Sequence, residues 1–169
     1  MYDFRIEAAS KPAFYDELIA AAVSLTAGEP DPIANMANVA ALLFDAMPEL
    51  NWAGFYRNLG GELVLGPFQG KAACIRIPFG KGVCGTAAAS RTVQLVEDVF
   101  AFPGHIACDA ASRSELVVPI LAGEALVGVL DLDSPRPGRF DKEDQEGCVR
   151  LVQALSGALG GMEKGVSGA

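Results

Sequence analysis

Two apolar runs, Ser114 to Ala122 (S-E-L-V-V-P-I-L-A) and Glu124 to Asp131 (E-A-L-V-G-V-L-D), meet at a tight turn on Gly123. No other stretch constrains the fold as closely: the pair reads as an antiparallel hairpin at the centre of a sheet. In such a hairpin the start of one strand lies beside the end of its partner. Glu115 opens the first strand, and Asp131 and Asp133 close the second, so three acids are expected at one end of the sheet. Asp131 and Asp133 are two apart and therefore share a face. The polar loop just before the hairpin carries Cys108 and the single histidine, His105. A thiol beside a carboxylate cluster serves chemistry better than packing, and this pairing is the functional signal of the chain.

The remaining elements fall into place around the hairpin. Pro12 starts a helical pattern with Phe14, Leu18, Ala21 and Leu25 on one stripe, ended by Gly28 to Pro30. Asp31-Pro32 starts a second helix, to about Met47, with Ile33, Met36, Ala40, Leu43 and Phe44 facing inward. Asn51 to Arg57 alternates as a strand, with Trp52, Gly54 and Tyr56 on one face and Ala53 and Phe55 on the other. Gly60-Gly61 makes the turn to a return strand, Glu62 to Gly66. Cys74 to Ile77 is a short third strand, Val83 to Ser90 a small helix holding Cys84, and Val93 to Val96 another strand. Phe100 to Ala110 is a loop. Asp141 caps a last helix, with Asp144 adding negative charge in its first turn. Cys148, Leu151, Leu155, Leu159 and Met162 form its buried stripe. The sum is a single α+β domain over residues 1–169, its core about 12–160. An antiparallel sheet is expected to carry the long helices on one face and a loop-roofed ligand cavity on the other.

Composition narrows the function. Apolar residues make up 51% of the 169, enough for a packed core. A net charge of -8 repels phosphate backbones, so nucleic acid is excluded as a partner. No basic amphipathic stretch, transmembrane run or secretory leader is visible, so no membrane partner is expected and the cytoplasm is the expected compartment. Thiols stay reduced there, and the four cysteines are read as reactive or buried groups rather than a disulfide framework.

Cys148, on the apolar stripe, is a small core residue. Cys74, Cys84 and Cys108 lie in the loop-rich middle without any C-x-x-C. A zinc site built from them and His105 lacks the short paired spacing of structural zinc, so no metal is expected. Cys84 begins a helix, which by itself lowers a thiol's pKa. The three acids need a cation or a shared proton to coexist, and the ammonium of a small ligand would supply the cation. A carboxylic acid of raised pKa could also donate a proton. Trp52 and Tyr56 suit the wall of a pocket for a thioether or methyl group, with Gly54 leaving space between them. The Gly80-Lys81-Gly82 turn entering a helix offers N–H groups to an anion.

The segments N-W-A-G-F-Y, L-G-P-F-Q-G, A-C-I-R-I-P-F-G-K-G-V-C-G-T-A, H-I-A-C-D, S-R-S-E-L-V-V-P and G-V-L-D-L-D-S-P together resemble the free methionine-(R)-sulfoxide reductases, which are single GAF-domain proteins. The resemblance spans roughly residues 12–160, with three cysteines and three acids at matching positions. It implies a GAF fold and thiol-dependent reduction of free methionine (R)-sulfoxide. Cys108 is then the nucleophile, Cys74 the principal resolving cysteine and Cys84 an auxiliary one. Glu115, Asp131 and Asp133 bind the polar groups of the substrate, and Trp52 and Tyr56 surround its methylsulfinyl end. It implies no bound cofactor, with NADPH-coupled thioredoxin as the external reductant. Whether the chain is a monomer or a homodimer, and which pair of the three cysteines rests as a disulfide, the sequence leaves open. Two other readings use the same residues: a GAF module that binds a small molecule without turnover, and a redox-sensing thiol protein.

Overall fold

A computed structural model of the protein describes residues 6–103 and 111–160. His105, Cys108 and Met162 lie outside the described residues, and so do the expectations placed on them.

Helix α1, Lys11–Thr26, is capped by Ser10, whose hydroxyl accepts from the Ala13 N–H. Helix α2, Pro32–Ala46, starts as read: Asp31 accepts from the N–H groups of Ile33 and Ala34, and Pro32 takes the first turn. The inward stripes differ by a residue or two from the expectation. In α1 Tyr15, Leu18, Ala21 and Ala22 are buried, while Phe14 and Leu25 are only partly so. The reason is tertiary: the Tyr15 hydroxyl donates to buried Asp144, 129 residues away, and this turns the helix. In α2 Met36, Val39, Ala40, Leu42 and Leu43 are buried, but Phe44 is exposed.

The strands are β1 (Trp52–Asn58), β2 (Glu62–Gly70), β3 (Arg76–Pro78), β4 (Gln94–Val96), β5 (Ser114–Ala122) and β6 (Ala125–Ser134). They form one antiparallel sheet in the order β3-β2-β1-β6-β5-β4. Gly60 and Gly61 both have positive φ, the backbone that a two-residue hairpin turn requires and that only glycine adopts freely. Strand β2 is longer than expected and carries one extra residue opposite β1, between Gly54 and Tyr56. Cys74 is not in a strand; it lies in the irregular segment ahead of β3.

Alternation sorts each strand onto two cores. Ala53, Phe55, Leu116, Val118, Ile120, Leu130 and Leu132 face α1, α2, α4 (Lys142–Ala154) and α5 (Ser156–Leu159). Helix α4 begins with a reciprocal capping box, Asp141 accepting from the Asp144 N–H and Asp144 from the Asp141 N–H. Cys148, Leu151, Leu155 and Leu159 are buried as expected. Trp52, Tyr56, Val117 and Val129 point the other way, toward α3 (Gly82–Ser90). The second face is thus roofed by a helix as well as by loops, because the alanine-rich α3 is small enough to lie directly on the strands. Among the described residues no helix is long and apolar enough to cross a membrane.

Candidate active site

The register of the central strands brings the three acids together. Glu115 lies directly opposite Asp133, Asp131 lies opposite Val117, and on the other side Asp131 and Asp133 pair with Gly54 and Trp52 of β1. Their side chains point into a cleft of about 550 Å³, measured out to its open mouth. It is walled by Trp52, Tyr56, Ile77, Val83, Cys84 and Ser112, with Lys71 and Lys81 at its edge. The expected substrate-binding set, Trp52, Tyr56, Glu115, Asp131 and Asp133, therefore shares one space.

The aromatic wall is a stack of three rings. Trp52 lies 5.9 Å from Tyr56 and 5.2 Å from Phe68, nearly parallel to both. The Trp52 indole N–H donates to the Lys71 carbonyl at 3.1 Å, and the Tyr56 hydroxyl donates to the Cys74 carbonyl at 3.0 Å. Both wall residues are thus tied to the segment that carries Cys74. Gly54 does not leave ligand space, contrary to expectation. A Cβ there would stand 2.4 Å from Phe68 Cβ and 2.7 Å from the Trp52 ring, so the aromatics fill the room that glycine vacates. Phe68 was not singled out from the sequence; its place opposite Gly54 in the β1–β2 ladder depends on the extra residue in β2.

The acids are buried as well as clustered. Glu115 is 7% exposed and Asp131 5%. Burial first, and then the charges of Asp131 and Asp133, hold the Glu115 carboxyl well above the usual carboxylate range. Burial also pushes Asp131 up to about 7, offset in part by hydrogen bonds with Cys84 and Glu115. Near neutrality this pair holds a proton, as two like charges in a dry site must. Among the described residues four buried side-chain polar atoms lack a hydrogen-bond partner, and the one that belongs to the acid cluster is Asp131 Oδ1. Leaving a buried carboxylate oxygen unpaired costs about 1–3 kcal/mol or more, which a ligand's donor would recover.

Cys84 corrects an expectation. Its position in the first turn of α3 predicts a lowered thiol pKa, yet the thiol is pushed well up. Full burial is the main cause, followed by the charges of Asp131 and Glu115. Here burial beside two acids outweighs a helix N-terminus. The thiol donates to Glu115 Oε1 at 3.8 Å. Cys84 and Cys148 are free thiols, whereas Cys74 is disulfide-bonded. The anion-binding expectation at the Gly80–Gly82 turn is also reduced. The Gly80 N–H donates to the Gly85 carbonyl and the Lys81 N–H to the Pro78 carbonyl, so both are already used.

A sheet floor, an aromatic wall and a proton-sharing acid pair make a chamber for a small molecule with an apolar end and a cationic or proton-accepting end. Comparison with known proteins agrees. The GAF domain model matches residues 34–159. The chain is 51% identical to the free methionine-R-sulfoxide reductase of Escherichia coli, over 89% of this chain and 91% of that one. The X-ray structure of free methionine-R-sulfoxide reductase from Neisseria meningitidis in complex with its substrate superimposes with a TM-score of 0.89 at 43% identity, covering 94% of this chain and 96% of the other. The reduced form of fRMsr of Staphylococcus aureus gives 0.83 at 49% identity, over 86% and 94%. With its sheet, its cleft and these matches taken together, the chain belongs to the GAF-domain family of free methionine-R-sulfoxide reductases.

Proposed function

We propose that the protein reduces free L-methionine (R)-sulfoxide to L-methionine, using its cysteines and an external dithiol. The observation that carries this reading is the unpaired Asp131 Oδ1 beside the Glu115 carboxyl, buried at the foot of the Trp52–Tyr56 wall. The ammonium of a free amino acid satisfies that oxygen, and the aromatic rings receive the methylsulfinyl end. A peptide-bound residue has no ammonium to offer, so free methionine sulfoxide is the better substrate. The handedness of the accepted sulfoxide follows the family.

Cys108, as thiolate, attacks the sulfoxide sulfur while a neutral carboxylic acid protonates the sulfoxide oxygen, which passes to the cysteine sulfur. Glu115 suits this role because burial and the neighbouring charges of Asp131 and Asp133 favour the neutral form of its carboxyl. Methionine leaves, and Cys108 keeps the oxygen as a sulfenic acid. Cys74 condenses with it, releasing water and forming the Cys108–Cys74 disulfide. That Cys74 is disulfide-bonded while Cys84 and Cys148 are free supports this pairing. Cys84 is an auxiliary cysteine: as a buried neutral thiol it attacks slowly and serves meanwhile as a hydrogen-bond donor to Glu115. Thioredoxin, itself reduced with NADPH in the cytoplasm, reopens the disulfide by exchange.

The test is an NADPH-coupled thioredoxin assay with the separated sulfoxide epimers of free methionine and of a methionine sulfoxide peptide. Turnover of the free R epimer alone is expected, and Cys108→Ser abolishes it while leaving ligand binding. Equal turnover of the peptide, or activity that survives Cys108→Ser, overturns the reading.

A further inference from the structure

The cleft holds a second kind of ligand set. Cys84 Sγ, a Glu115 oxygen and an Asp131 oxygen all lie within 4.8 Å of one another, and all three residues are buried. The Cys84–Glu115 edge is 3.8 Å. A tetrahedral zinc site with Zn–S near 2.3 Å and Zn–O near 2.1 Å places its ligand atoms roughly 3.4–3.6 Å apart. Small side-chain rotations close that gap. An independent observation points to a ligand here: Asp131 is 5% exposed, lines the cleft, and its Oδ1 has no partner.

We propose that Cys84, Glu115 and Asp131 form a binding site for a thiophilic divalent cation of the Zn²⁺ type, with water in the fourth position. Thiolate with carboxylate donors suits zinc and cobalt, whereas Mg²⁺ and Ca²⁺ demand six or more oxygens. Binding converts the Cys84 thiol to a thiolate, and its proton, together with the one shared by Glu115 and Asp131, goes to solvent. The cation also neutralises acids that otherwise must share a proton. No C-x-x-C or His spacing announces such a site, because its ligands come from α3, β5 and β6 and meet only in the fold. Where the reductase reading holds, the cation occupies the place of the substrate's ammonium and blocks turnover. The binding itself does not depend on that reading.

The experiment is a Co²⁺ titration of the disulfide form, in which Cys74 is bonded and Cys84 remains free, followed by absorption. Expected are one saturable site, a sulfur-to-cobalt charge-transfer band, intense four-coordinate d–d bands and displacement by Zn²⁺ but not Mg²⁺. Cys84→Ser, with an unchanged circular dichroism spectrum, removes the charge-transfer band. Asp131→Asn keeps the band but raises the half-saturating cobalt concentration at least tenfold. No saturable binding, a spectrum without thiolate character, or a thiolate band that survives Cys84→Ser overturns the proposal. Because no turnover is measured, failure here and failure of the reductase assay are read separately.

Discussion

Two buried carboxylates sit on opposite faces of the same sheet and live under opposite rules. Asp144, on the helix side, is 1% exposed and fully engaged. It accepts from the Tyr15 hydroxyl at 2.9 Å, from Lys11 at 2.6 Å, from Arg139 at 3.2 Å and from the Asp141 N–H at 3.0 Å. Asp131, on the cleft side, is 5% exposed, neighbours Glu115 and keeps one oxygen idle. The first carboxylate ties α1 to the start of α4 and belongs to the architecture. The second is held in readiness, and the fold bears its cost. A buried acid whose partners are all supplied by the chain stabilises; one whose partner is missing waits for a ligand.

That contrast can be broken at either acid. The largest effect is expected from Glu115→Gln, which removes the proposed proton donor while keeping the shape. Turnover should fall by roughly 10²–10⁴-fold with stability little changed, as measured by kcat and the urea midpoint. On the helix face, Asp144→Ala should cost about 3–5 kcal/mol, because Tyr15 and Arg139 are left without their acceptor; the urea midpoint reports it, and kcat of the folded fraction stays the same. Gly147→Ala sharpens the same point more gently. A Cβ there would stand 2.2 Å from the Tyr15 ring, so it pushes Tyr15 off Asp144 at a cost of about 2 kcal/mol in chemical denaturation.

The smallest effect is a pH slope. Asp131 is held up to about 7 in the fold, against its ordinary 3.8. Between those values the folded chain keeps a proton that the unfolded chain has lost. The contribution of this proton to stability is therefore full below about pH 4 and is lost as pH rises through 7. Asp131→Asn should flatten this decline by on the order of 1–2 kcal/mol between pH 5 and 8, seen as urea midpoints that no longer separate. An unchanged slope would mean that the proton is stored elsewhere.

The sequence yields much of this contrast, and its failures have physical causes. The hairpin Ser114–Asp133 and the faces of Trp52 and Tyr56 are legible because strand alternation is a local rule that the sheet obeys. The gathering of Glu115, Asp131 and Asp133 follows from it directly. Three features are not legible. Tyr15 replaces Phe14 in the core because of a hydrogen bond spanning most of the chain. Cys74 falls outside β3, where short apolar runs give no boundary. The Cys84 thiol moves up rather than down because burial and two acids from distant strands outweigh its own helix. Each is a case of tertiary surroundings overruling a local preference.

The acids stand on β5 and β6, locked into neighbouring ladders, while Cys74 stands on an unladdered stretch pinned to the wall by the Tyr56 hydroxyl. The site thus divides into an anvil and a tether. What lines the cleft cannot drift without melting the sheet, whereas Cys74 rides on irregular backbone held at two points, the Tyr56 hydroxyl on its own carbonyl and the Leu65 N–H on the carbonyl of Ile75. One phenol links the two, so under the proposed cycle a change at Cys74 is felt by the wall of the chamber.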